Sequence, residues 1–171
     1  MIRPALLLSL AVALVAGLSA CDSNDAAEPS PADIAGTYDL SDFRFRANAS
    51  AIGTVDLRDT LNVETSNVRF LNSGQVVVNY EFQGGDEQVL VGQATVREDD
   101  VRVRFGGDTE DARERLLLPE DLTFERNGTT LSASTSTRVD LEAFSGRFGD
   151  DGTFDDVAGT LTLTLTPRVS G

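Results

Sequence analysis

The chain has 171 residues, a net charge of −14, no histidine, no tryptophan and no lysine, so that all fourteen of its cations are arginine. Those absences exclude Ser–His and Cys–His nucleophiles, Schiff-base and P-loop lysines and the usual zinc sites. Only carboxylate chemistry or oxygen-ligand metals remain open, and the chain reads as a non-enzyme without a cofactor. So acidic a surface also argues against nucleic acid, whose binding rests on basic side chains, and against peripheral attraction to anionic lipid headgroups. Aspartate-rich and lysine-free, it looks like a protein of a salty habitat, where self-repulsion is screened; codon bias and plain solubility are the competing account.

Met1-Ile2-Arg3 is a short positive start, followed by an apolar run from Ala5 to Ala16 that only Ser9 interrupts. Small residues at Gly17, Ser19 and Ala20 complete a secretory signal over residues 1–20. Leu18-Ser19-Ala20-Cys21 contains the only cysteine of the chain and resembles the lipobox of bacterial lipoproteins. That resemblance implies acylation of the Cys21 thiol, cleavage before Cys21 and acylation of the freed amine. Two or more acyl chains hold stably where one does not, so the expected partner is a membrane, engaged through the lipid anchor on its extracytoplasmic side. Loss of Arg3 with the signal takes the net charge from −14 to −15.

Residues 21–32 form a lipidated tether. Asp22 to Pro31 is polar and proline-punctuated, and its ten residues reach at most about 35 Å. Residues 33–171 are then enough for one domain with a core. Ser30-Pro31-Ala32-Asp33 carries the signals of a short helical turn, a capping serine and proline at the first position, which Gly36 stops.

Strand signals dominate from there, near 36–47, 53–65, 67–72, 75–83, 87–98, 101–106, 121–126, 129–141 and 157–167. Leu161, Leu163 and Leu165 alternate with threonines, Val101, Val103 and Phe105 with Arg102 and Arg104, and Val76, Val78, Tyr80 and Phe82 share one face. Turn signals join them at Ser73-Gly74, Gly84-Gly85, Asp99-Asp100 and Asn127-Gly128, the last the strongest short hairpin signal in the chain. Two segments do not fit: Asp108 to Arg115, a short helix followed by Leu116-Leu117-Leu118-Pro119, and the loop from Phe144 to Val157. In that loop Phe144, Phe148 and Phe154 read as a local packing cluster before a binding surface.

Hairpins in chain order describe a meander, and a meander of this length escapes its edges by closing. The expected fold is all-β: a single antiparallel up-and-down β-barrel of eight or nine strands, with a β-sandwich as runner-up. Asp33-Ile34-Ala35-Gly36-Thr37-Tyr38 resembles the opening of lipocalin-like proteins, in which a 3₁₀ turn leads into a Gly-x-Trp motif. Tyr38 stands where the tryptophan would be, and Arg168 is the candidate for the arginine that packs over it in that family. The resemblance implies a barrel that binds a small apolar ligand non-covalently. A side-chain-filled barrel that works as a structural or interaction lipoprotein, with an envelope protein as partner, is the alternative.

If a pocket exists, Tyr38, Tyr80 and Phe82 would line it. Alternation of Val55, Leu57, Asp59, Leu61 and Val63 turns Asp59 inward, where with Thr135 and Thr137 it would orient a polar head; a bulge turning Asp59 outward is the competing account. Asp150, Asp151, Asp155 and Asp156 put four carboxylates in seven residues, ligands suited to calcium. EF-hand spacing is absent and acidic loops are common in such a chain, so no metal is assigned. The anchoring expectation is checked by fractionation: Cys21→Ser releases the protein from membranes or stalls its maturation, and a variant that matures normally and stays in the membrane fraction refutes the lipidation.

Overall fold

A computed structural model describes residues 28–106, 109–142 and 154–169. Among them are nine strands: β1 (Gly36–Ala47), β2 (Thr54–Asp56), β3 (Asn67–Phe70), β4 (Gln75–Glu81), β5 (Glu87–Val96), β6 (Asp100–Phe105), β7 (Asp121–Asn127), β8 (Thr130–Val139) and β9 (Val157–Pro167). Two 3₁₀ turns (Pro31–Ile34 and Leu57–Thr60) and one short helix, α1 (Glu110–Arg115), complete the elements. All pairings are antiparallel, β3 to β9 follow in chain order, and β1 pairs with β9 to close the ring. The molecule is an eight-stranded up-and-down barrel with β2 as an added strand, and closure rules out the sandwich.

β1 is the only strand bordered by three others. One edge takes β9 from Tyr38 to Ala47; the other takes β3 at Gly36–Tyr38 and β2 at Arg44–Arg46. Between these ends Ser41 is a β-bulge, since the register with β9 shifts between Leu40 and Asp42. The extra residue switches the inward parity from Tyr38 and Leu40 to Phe43, Phe45 and Ala47. Ser41 Oγ donates to Thr164 O (3.1 Å) and Ser41 O accepts from Arg58 Nη1 (2.8 Å), fixing the bulge from both neighbours.

The single strand expected over 53–65 is broken. Asp56 Oδ1 accepts from Arg58 N (3.1 Å), an N-cap that starts the 3₁₀ turn Leu57–Thr60 before the ladder can continue. Asp59 is exposed on that turn instead of pointing inward, and Val63 is 46% exposed on the next one. At the β7–β8 hairpin Asn127 pairs with Thr130, so the turn residues are Gly128 and Thr129, one later than the Asn-Gly signal suggests. Gly128 supplies the positive φ (62°) that the first position requires.

Alternation fills the interior: Val76, Val78 and Tyr80 on β4, Val101, Val103 and Phe105 on β6, and Leu161, Leu163 and Leu165 on β9 are all buried. The buried set and the strand pairings of the barrel lie wholly between residues 34 and 167. Gly159 is required by the closing seam. A Cβ there would collide with the Arg46 carbonyl oxygen and the ring of Phe45, which is fully buried and has nowhere to go. Gly159→Ala is expected to cost about 1–3 kcal/mol through overpacking; chemical denaturation that shows no loss would refute this tight approach of β1 to β9.

Candidate functional site

Strand direction alternates, so the turns after β3, β5 and β7 and the entry to β1 share one end, while the connections after β1, β4, β6 and β8 share the other. The 3₁₀ turn Pro31–Ile34 covers the entry end with buried Ile34. Asp33 and Ser30 shape it: the Asp33 carboxylate accepts from Ser30 N (2.7 Å), and Asp33 N donates to Ser30 O (3.0 Å). At the far end the β6–β7 connection carries α1 and then Leu116, Leu117 and Leu118, all buried. No residue of the helix is fully buried, though Ala112 packs against the core; its sequence, Glu-Asp-Ala-Arg-Glu-Arg, is mostly polar, and the leucines after it do the filling.

That connection turns inward through a Schellman arrangement, Leu118 N donating to Arg113 O (3.1 Å) and Leu117 N to Glu114 O (2.8 Å). The residue that must take the left-handed conformation is Leu117 (φ 56°), a position usually held by glycine. Such a backbone costs roughly 1–2 kcal/mol, against about 1.5–3 kcal/mol for burying a leucine. Leu117 is 4% exposed, so its burial offsets the strain.

The chain's two tyrosines fasten the two covers. Tyr38 OH donates to Ile34 O (3.0 Å) at the entry end, and Tyr80 OH donates to Ala112 O (3.2 Å) at the far end. Each ring also meets a phenylalanine edge-on: Tyr38 with Phe70 (5.4 Å between centroids, 79°) and Tyr80 with Phe82 (5.6 Å, 80°). Burial pushes both hydroxyls above the ordinary tyrosine pKa, with Arg126 near Tyr38 and Arg115 near Tyr80 opposing in part. Both therefore remain donors.

Between the covers lies a cavity of about 20 Å³ lined only by apolar side chains and the Tyr80 ring, Leu116 and Leu118 among them. That is space for about one water molecule, far below the roughly 300–1,000 Å³ of ligand pockets. Tyr38 and Tyr80 are thus interior, as expected; both fasten covers, and the Tyr80 ring also lines this small cavity. Phe82 lies just past β4, half-buried and bridged to Leu61. Thr135 and Thr137 keep the inward parity of β8 and are half-buried, and Asp59 is not near them on any paired strand. Arg168 does not cover Tyr38. Pro167 pairs with Tyr38, which leaves Arg168 opposite Thr37 on an outward position, and its Nε reaches Asp39 Oδ1 at 2.6 Å.

A second depression, of about 300 Å³, opens between the β6–β7 connection and the start of β9 and brings Thr137 together with Asp155 and Asp156. Asp156 is already paired with Arg138 Nε (2.7 Å), and no group of three metal-ligating side chains occurs among the described residues. Cys21, Phe144, Phe148, Asp150 and Asp151 lie outside the described residues; Phe154 packs against the core.

A third, of about 290 Å³, runs along the outside of β5 and β6 and is lined by Gln93, Thr95, Arg97, Arg102 and Arg104. Cross-strand pairing sets Gln93 beside Arg104 and Thr95 beside Arg102. Arg102 is held by Asp121 through Nε (3.2 Å) and Nη2 (3.0 Å), and Arg104 by Glu120 through Nε (3.2 Å) and Nη2 (2.7 Å). Glu120 accordingly holds the Arg104 pKa above its ordinary value. Sequence reading missed this row as a unit. Its signal, arginines alternating with Val101, Val103 and Phe105, served only to mark a wet outer face.

No family model and no curated protein matches the chain. Among solved structures it is similar to a lipocalin-like protein from Bacteroides uniformis ATCC 8492 (12% identity, 78% of this chain and 98% of that one, TM-score 0.44). It is also similar to an uncharacterized protein from Bacteroides eggerthii DSM 20697 (11% identity, the same coverage, TM-score 0.37). The barrel itself rests on its strand pairing.

If the tyrosines act as local fasteners, each Tyr→Phe change costs about 0.5–1.5 kcal/mol and loosens one end only. Hydrogen exchange at the amides of Arg113, Leu116 and Leu118 accelerates in Tyr80→Phe, and at those of Asp33 and Ala35 in Tyr38→Phe. Equal effects at both ends, or none, would refute the assignment.

Proposed function

We propose that the protein is a lipid-anchored, extracytoplasmic barrel that works through its surface as a structural or interaction module and catalyses no reaction. The observation that carries this reading is the filled interior: a cavity of about 20 Å³ beneath two fastened covers. Eight-stranded barrels divide between filled ones and those that hold one small ligand, and this one has the proportions of the first kind. The Leu18-Ser19-Ala20-Cys21 motif supports the anchor, and an envelope protein is the partner such a module would meet.

Binding of a small apolar ligand is the second reading, favoured by the wholly apolar cavity wall and by Leu116 and Leu118. These two side chains belong to a connection that could leave the barrel mouth, and the space they occupy would pass to the ligand. A fluorescent fatty-acid analogue, offered to the chain beginning at residue 22, separates the two. For the filled scaffold the probe does not bind and Tyr80→Ala costs about 3–5 kcal/mol. Saturable probe binding by the unaltered chain, weakened by Tyr80→Ala with a smaller loss of stability, would overturn the scaffold reading in favour of the ligand.

A further inference from the structure

We infer that the groove on the outside of β5 and β6 is an anion site, and that the phosphate headgroups of the membrane to which the tether leads are its ligand. This rests on the anchored reading above for the source of the phosphate, and on the groove itself for the chemistry. In a chain with 28 acidic and 14 basic residues, all five lining side chains carry an N–H or O–H donor and none is a carboxylate.

The donors are partly spent: Gln93 Nε2 donates to Ser73 O (3.3 Å), and Arg102 and Arg104 are ion-paired with Asp121 and Glu120. Asp121 and Glu120 each engage Nε and Nη2 of their arginine, which fixes the guanidinium plane and leaves Nη1 of Arg102 and of Arg104 without a partner. Among the described residues, Arg97 makes no side-chain hydrogen bond or ion pair; its carbonyl oxygen accepts from Arg126 Nη1 (3.3 Å). Planar, oriented guanidinium groups are the side chains best matched to phosphate oxygens.

Position selects the source. Pro31, the end of the tether, and Gln93, in the groove, converge on Gly74: a Cβ built there would lie 3.4 Å from Pro31 Cγ and 2.6 Å from Gln93 Nε2. A tether of ten residues attached beside the groove keeps that wall of the barrel within about 35 Å of the anchor. The net charge opposes attraction of the molecule as a whole. Its reach, however, is about 8 Å at physiological ionic strength, so acids elsewhere on the barrel are screened from the groove, where three arginines stand against the two carboxylates of Asp121 and Glu120.

The test uses the chain beginning at residue 22, whose barrel is complete within the described residues and which carries no lipid, so that anchoring by Cys21 cannot enter the result. It is offered vesicles of phosphatidylcholine with one-third phosphatidylglycerol, vesicles of phosphatidylcholine alone, and inorganic phosphate. The expected result is partitioning onto the phosphatidylglycerol vesicles alone, lowered about 30-fold by Arg97→Gln with Arg104→Gln, since each arginine near such a surface is worth about fivefold. Arg46→Gln with Arg44→Gln makes the same charge change at the opposite end and leaves partitioning unaltered. Three results would overturn the inference: no partitioning onto the anionic vesicles, an equal loss in the Arg44/Arg46 variant, or inorganic phosphate shifting the amide resonances of residues 93–104 as tightly as the vesicles do. The last would leave an anion site but remove the membrane as its ligand. Circular dichroism and denaturation of each variant separate a lost site from a lost fold.

Discussion

Everything in this barrel depends on the closing seam between its first and last strands. Tyr38 to Ala47 pairs with Pro167 to Gly159, so residues about 120 apart in sequence must meet before either can complete its ladder. Loop closure on that scale is slow, because the chain entropy is lost before the contacts form. The meander from β3 to β9 can assemble hairpin by hairpin, but its two outer strands stay exposed edges until β1 arrives. β1 is shaped for that role. It offers one edge to β9 and divides the other between β3 and β2, with the Ser41 bulge lying between those two stretches.

Closure creates a cylinder with two open mouths, and the same solution serves both. A short polar turn lies across each, an aliphatic residue beneath it plugs the hole, and a tyrosine rising from the wall ties the turn down through its hydroxyl. The plugs differ in weight. At the entry end one isoleucine, Ile34, suffices. At the far end three consecutive leucines enter, and the backbone accepts a left-handed Leu117 so that all three can be buried. A glycine there would relieve the conformation and forfeit the larger burial term. The far cover is therefore held by apolar contact with only one hydroxyl as its tie, while its outer surface stays fully polar.

Most of this architecture was legible from period-two alternation and turn residues, because both act within a few residues of sequence. Eight of the nine strands lie where alternation puts them, and the helix over 110–115 stands where charged residues interrupt it. What misled was competition at the same range. Val55, Leu57, Asp59, Leu61 and Val63 alternate as well as any strand, yet Asp56 captures the Arg58 amide and bends the chain into a 3₁₀ turn, which puts Asp59 outside. The Ser41 bulge was hidden for a related reason: Tyr38 and Leu40 keep one parity, Phe43 and Phe45 the other, and nothing local reveals that both are correct. Arg168 shows the limit in another form. Its face follows from the pairing of Pro167 with Tyr38, which is known only when the first and last strands are aligned.

The placement of the candidate surfaces follows from the same topology. In an up-and-down barrel the end at which each connection falls is set by count alone. Here the turns on the tether side are short: residues 71–74, 97–99 and 128–129. The long connections, 106–120 and 140–156, fall on the opposite side. Around the far mouth Glu110, Asp111, Glu114, Asp140, Asp155 and Asp156 outnumber Arg113, Arg115 and Arg138, and the arginine row of β5 and β6 begins beside Glu98 and Asp99 of the 97–99 turn. If the proposed lipid anchor holds the barrel at its entry end, one face meets headgroups and another projects into solvent. Chain order alone delivers the second, and the pairing of Asp121 and Glu120 with Arg102 and Arg104 prepares the first by orienting two cations while leaving their outer nitrogens free.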